Sequence, residues 1–218
     1  MKTGATDITV ILDRSGSMSG MVEDMTKGFD QFIREQRKIP GECRVSLVQF
    51  DTVSIDSVYT ALPLKEVPPL ALLPRGGTPL WDAVGRTVQQ TGERLAAMPE
   101  ADRPERVLCI VITDGQENSS REWSAEKVRE VVKHQQEVYK WTFLFLGANI
   151  DSFAEGGRMG VAQAYSSNYS PDAAFNMVQV MSHKVADYRL AATPTAAAAG
   201  AAWTEEDRQK MAGKKIKK

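Results

Sequence analysis

With 218 residues, 42% of them hydrophobic and 25% charged, the chain has the make-up of a soluble globular domain, alone or with a short appendage, and is long enough to bury a full core. Its 27 basic and 28 acidic residues nearly cancel, which excludes binding to nucleic acid or a membrane through bulk charge. The opening MKTGATDITV lacks the basic-then-apolar pattern of a signal peptide, and no apolar run reaches about 18 residues, so a cytosolic (cytoplasmic) protein without a membrane span is expected.

Taken in chain order, the first apolar run, Ile8–Leu12, suits a buried parallel strand. Met21, Val22, Met25, Phe29, Phe32 and Ile33 then mark one face of a helix that Pro40-Gly41 ends. Val45–Phe50 reads as a second buried strand. It passes through Asp51-Thr52 into the loosely alternating Val53–Leu62, a connection short enough only for an antiparallel hairpin. A second helix carries Leu80, Val84, Val88, Thr91 and Leu95. Val107–Ile112 and Trp141–Leu146 are further buried strands, separated by a helix with Val128, Val131, Val132, Gln135 and Tyr139 on one side. A fourth helix follows Ser170-Pro171, with Phe175, Val178, Met181, Val185 and Tyr188 on its apolar face. Alternation of strand and helix predicts an α/β three-layer sandwich around a mainly parallel sheet with one antiparallel edge strand.

After Leu190 the composition turns to AATPTAAAAGAAW, which is too small-sided to hold a core of its own. The division expected is therefore a domain over residues 1–190 and an Ala-rich linker with a basic tail over 191–218. From Trp203 to Lys218 there are six basic and three acidic residues; Thr204 and Asp207 are placed to cap a short helix, against the plainer expectation of a frayed solvated tail. Cys43 and Cys109 both fall in strand-like runs and are expected to be buried thiols, not a disulfide or metal pair.

Three segments carry the chemistry. In an open α/β sheet, ligands bind beyond the carboxyl ends of the strands where strand order reverses. Two central strands here end in an aspartate, Asp13 in ILDRSGSMSG and Asp114 in VITDGQENSS. Either one alone reads as a turn or cap residue. Asp13, Ser15 and Ser17 occupy alternate positions, which in an extended segment face one way, with Arg14 and Gly16 turned away. Thr78 follows Gly76-Gly77 and precedes Pro79, a pattern that also fits an N-cap with proline in the first turn. Two carboxylates and three hydroxyls converging on one point exceed what capping needs, and they suit a hard divalent cation such as magnesium. Because hydroxyls add no negative charge, such an ion could attract a carboxylate from outside.

Together these segments resemble the von Willebrand factor type A family and its metal-ion-dependent adhesion site. Asp13, Ser15 and Ser17 match its Asp-x-Ser-x-Ser segment, Thr78 its single threonine, and Asp114 its Thr-Asp-Gly segment; the likeness runs from about Thr6 to Leu190. The resemblance implies a Rossmann-like sheet of order 3-2-1-4-5-6 whose third strand is antiparallel. It also implies Mg2+ or Mn2+ as cofactor and a non-enzymatic protein-interaction module, its partner supplying an Asp or Glu that completes the metal's coordination, within a larger assembly in some members. Carried over, Ser15, Ser17 and Thr78 are inner ligands, and Asp13 and Asp114 are inner or water-mediated.

Enzymatic readings fit less well. A haloacid dehalogenase-like phosphatase needs a second aspartate where this chain has Ser15, and the Gly16–Gly20 stretch that looks like a nucleophile elbow is centred on Met18. His134 and His183 fall on helices away from strand ends, and no GxxxxGK[ST] loop occurs. Asn118-Ser119-Ser120 fits a glycosylation sequon that has no secretion signal to give it meaning. The main alternative is a nucleic-acid-associated protein using the terminal GKKIKK, although no interleaved aromatics support base stacking.

Overall fold

The four apolar runs become the interior of one sheet. In the computed structural model, which describes residues 1–213, the strands are β1 (Lys2–Asp13), β2 (Cys43–Phe50), β3 (Ile55–Pro63), β4 (Pro104–Thr113), β5 (Thr142–Gly147) and β6 (Ser166–Asn168). Their order is β3-β2-β1-β4-β5-β6, and only β3 runs antiparallel, against β2. The helices are α1 (Val22–Arg37), α2 (Leu80–Ala96), α3 (Ala125–Tyr139), α4 (Ser152–Arg158), α5 (Ala174–Leu190), α6 (Pro194–Ala201) and α7 (Glu205–Met211).

Strand side chains alternate between two cores because successive Cβ atoms point to opposite faces. Ile8, Val10 and Leu12 of β1, Leu108, Ile110 and Ile112 of β4, and Leu144 and Leu146 of β5 pack against α1 and α5. Ile11, Cys109, Val111, Phe143 and Phe145 meet α2 and α3 on the other side. Both faces of the central strands are thus covered, which is why these segments read as unbroken apolar runs. The result is the expected αβα sandwich with the expected strand order.

Three local expectations are corrected. The hairpin strand starts at Ile55, not Val53, because Asp51 folds the turn: its carboxylate accepts from the backbone N–H of Val53 and Ser54, at 2.5 and 3.1 Å. Ser170 makes no side-chain cap; Pro171–Ala173 form a 3-10 turn that runs into α5. The third correction concerns residues 191–218, expected to be a linker and a solvated tail. Residues 194–211 instead form α6 and α7, and Ala197, Ala201, Trp203 and Met211 are buried in the α1/α5 core.

Alanines hold no core alone, yet their small side chains let α6 lie close on α5, and the larger anchors follow. The Trp203 indole N–H donates to the Tyr165 carbonyl at 2.9 Å, and Lys184 pairs with Asp207 at 2.9 Å. Thr204 and Asp207 form a reciprocal capping box at the start of α7. Lys214–Lys218, and with them most of the basic GKKIKK segment, lie outside the described residues. Among the described residues, no helix is long and apolar enough to cross a membrane.

Candidate metal centre

Strand order reverses between β1 and β4, so the chain leaves these neighbours in opposite directions and opens a crevice at their carboxyl ends. Asp13 closes β1, and Asp114 follows the last residue of β4. Ser15 is extended (φ −61°, ψ 165°), but the chain then tightens at once into a 3-10 turn over Gly16–Met21. The predicted alternation along an extended segment is therefore not what aligns the hydroxyls; the turn is. It brings Ser15 Oγ to 3.0 Å from Ser17 Oγ, and Ser17 Oγ donates to Asp114 Oδ1 at 2.6 Å. Asp13 lies just behind, where Oδ1 accepts from the Ser15 backbone N–H and Oδ2 from the Thr113 hydroxyl, each at 2.6 Å. Arg14 faces away, as expected, and its guanidinium binds Asp51, Ser54 and Asp56.

Thr78 does not cap α2. Pro79 occupies the cap position, and no side chain of the cap residue bonds there. Thr78 is fixed through its backbone, its N–H donating to Asn118 Oδ1 at 2.9 Å and its carbonyl accepting from the Asn118 N–H at 3.1 Å. Its hydroxyl is left to the crevice. A Cβ at Gly115 would lie 2.9 Å from Thr78 Oγ1 and 3.7 Å from Ser17 Oγ, so these hydroxyls flank one small space that a side chain would enter. Gly76 has φ +66°, and a side chain there would collide with Thr52, so the approach of this segment depends on glycine.

Both carboxylates are nearly removed from water. Burial pushes the Asp13 carboxyl up to about 6, against the opposing bonds from Thr113 and Ser15, and Asp114 nearby adds repulsion. Burial likewise raises Asp114, opposed by the Ser17 hydroxyl. Among the described residues, no basic side chain bonds to either carboxylate. Ser17 is exposed and gives the cluster its opening to solvent. The donors are all hard oxygens. No three His, Cys, Asp or Glu side chains gather into a metal-binding group among the described residues, so a cation here depends on hydroxyl ligands beside two carboxylates. That set fits magnesium, which keeps several waters next to one or two carboxylates, and it lacks the nitrogen and sulfur ligands that zinc prefers.

No protein-family model matches the sequence, and no curated protein matches it. Solved structures do. The chain is similar to the proximal thread matrix protein 1 of the mussel byssus, at 15% identity and a TM-score of 0.55 over 84% of this chain and 46% of that one. A second structure of that mussel protein, described as having a zinc-occupied MIDAS motif, aligns with a TM-score of 0.57 at 15% identity and the same coverage. A von Willebrand factor type A protein from Catenulispora acidiphila aligns at 16% identity with a TM-score of 0.54, over 84% of this chain and 43% of that one.

The chain has the fold of a von Willebrand factor type A domain. It spans less than half the length of each of these proteins.

On this type A scaffold, Asp13, Ser15, Ser17, Thr78 and Asp114 come together from three segments. Sequence reasoning missed two supporting residues. Thr113, quoted only as part of the Thr-Asp-Gly segment, holds Asp13 through its hydroxyl, and its carbonyl accepts from the buried Tyr169 hydroxyl at 3.3 Å. Asn118, noted only as a sequon, fixes Thr78. The thiols of Cys43 and Cys109 are buried and free; burial pushes that of Cys43 up to about 12. His134 and His183 are exposed on helices.

Proposed function

We propose that this chain is a non-enzymatic, divalent-metal-dependent protein-interaction module. The observation that carries the reading is the contact of Ser15 Oγ, Ser17 Oγ and Asp114 Oδ1 at the exposed end of two buried strands, with Asp13 held behind them. Ser15, Ser17 and Thr78 would hold Mg2+ or Mn2+ through their hydroxyls, with Asp13 and Asp114 as the anionic members of the set. When bound, the ion supplies an electron-poor coordination position for a carboxylate oxygen of a partner's Asp or Glu. The protein's own part is to keep its hydroxyls aligned, to keep two negative charges close to the ion, and to turn Arg14 away so that it does not neutralise them. The mussel protein with the zinc-occupied motif supports a divalent ion on this fold. The choice of magnesium or manganese rests on the oxygen-only donors.

The test is calorimetric titration of the chain with Mg2+ and Mn2+, followed by partner capture in magnesium and in chelator. One ion per chain and capture lost in chelator are expected. A chain that binds neither ion, or capture unchanged by chelator, overturns the reading.

A further inference from the structure

After Asp114 the chain does not pass directly to α3. Residues 115–124 fold back across the first turn of α2, and two carboxylates hold them there from opposite sides. Asp82, in α2 and only 5% exposed, accepts from the backbone N–H groups of Arg121, Glu122 and Trp123 at 2.9, 2.9 and 2.8 Å. Glu117, in the crossing segment, accepts from the Trp81 N–H of α2 at 2.9 Å, and from its own neighbours Ser119 and Ser120 at 2.7 Å each. The Ser120 hydroxyl donates to Glu117 at 2.6 Å and accepts from the Asp82 N–H at 3.0 Å. Trp123 lies so close over Gly85 that any side chain at position 85 would collide with its ring.

The first turn of a helix leaves N–H groups without partners inside the helix. In α2 those of Trp81 and Asp82 are taken by this segment, which frees Thr78 from capping. Thr78 stands two residues before α2, and Asp114 three residues before Glu117, so these bonds set the distance between the two without using any oxygen of the metal cluster. We infer that Asp82 and Glu117 are positioning residues that clasp residues 115–124 to α2 and hold Thr78 and Asp114 at the metal site without help from an ion. The inference rests on the metal-site reading above. Each carboxylate faces several N–H donors at once, an arrangement that fixes its orientation and keeps it from turning toward the ion. Alignment made in advance in this way raises affinity by lowering the ordering cost of binding.

The test uses the full chain and the variants Glu117→Ala, Asp82→Ala and Glu117→Gln. Val88→Ala, a cavity in the core side of the same helix, serves as the stability control. Hydrogen exchange is measured in chelator at the amides of Trp81, Asp82, Arg121, Glu122 and Trp123, and Mg2+ and Mn2+ affinities are measured by titration. The wild-type amides are expected to be protected without metal and to lose that protection in both alanine variants, whose affinities fall about tenfold or more. Glu117→Gln, which keeps one accepting oxygen, recovers part of the loss. Val88→Ala lowers the melting temperature and leaves affinity within about twofold of wild type, since it removes no polar support of the site. Unprotected amides in the metal-free wild type, or alanine variants that bind metal as tightly as wild type, overturn the clasp. Protected amides in a wild-type chain that binds neither ion support the clasp and sink the metal reading instead.

Discussion

Replacing Asp13 by asparagine separates a structural aspartate from one kept for a metal. Burial pushes the folded carboxyl up to about 6 from its ordinary value of 3.8, a difference worth about 3 kcal/mol. The sign follows from proton linkage. Between pH 3.8 and 6 the folded state holds the proton more tightly, so in chelator this group's contribution is present below the lower value, is lost as pH rises through the upper one, and stays lost at pH 7. Asparagine removes the buried charge but turns an N–H group toward Ser15 or Thr113, an imperfect pairing that costs about 1–3 kcal/mol. In chelator at pH 7, Asp13→Asn should therefore range from unchanged to about 2 kcal/mol more stable than wild type, and the fall between pH 4 and 6 should flatten. In magnesium at a hundredfold excess over Kd, wild type gains about 2.7 kcal/mol and the variant should miss most of that gain. Urea unfolding of both proteins, in chelator and in magnesium, measures all four quantities. Equal destabilisation by the substitution under both conditions would refute the assignment of Asp13 to a metal site.

Three further outcomes are expected. Isothermal titration should find a single Mg2+ or Mn2+ site; tighter zinc binding that vanishes on replacing Cys43 or Cys109 would contradict the oxygen-only site. Gly115→Ala places a Cβ 2.9 Å from Thr78 Oγ1 and should weaken metal binding about tenfold, read by titration, while a Kd equal to wild type would show that the space beside Thr78 is not used. Truncation after Leu190 removes the buried Trp203 and Met211, each side chain worth about 1.5–3 kcal/mol, and should lower the melting temperature by roughly 10 °C; a shift under about 3 °C would mean that α6 and α7 do not support the core.

Periodicity along the chain was enough to find β1, β2, β4 and β5, because a strand buried on both faces must be apolar at successive positions whatever surrounds it. The same holds for α1, α2, α3 and α5, whose faces are written at helical spacing. The five oxygen-bearing candidate residues were legible for a related reason: strand ends and glycines mark where the chain turns, and the motif falls on those marks. Other features lay beyond any local signal. The three residues of β6 are Ser-Ser-Asn, with no apolar pattern, and they pair only because β5 presents backbone groups that need partners. Thr193 and Pro194 mark a start for α6, yet its docking on α5 is written in no distinct apolar face of its own. Thr78 taken alone reads as a cap, and only the segment from Glu117 to Ser120, which takes the N–H groups a cap would have used, removes that reading. Local sequence determined the conformation of the periodic strands and helices, because that depends on neighbours a few positions away. Tertiary structure decided which polar groups were already paired, because their partners here lie 36–41 positions distant along the chain and meet only when the sheet brings them together.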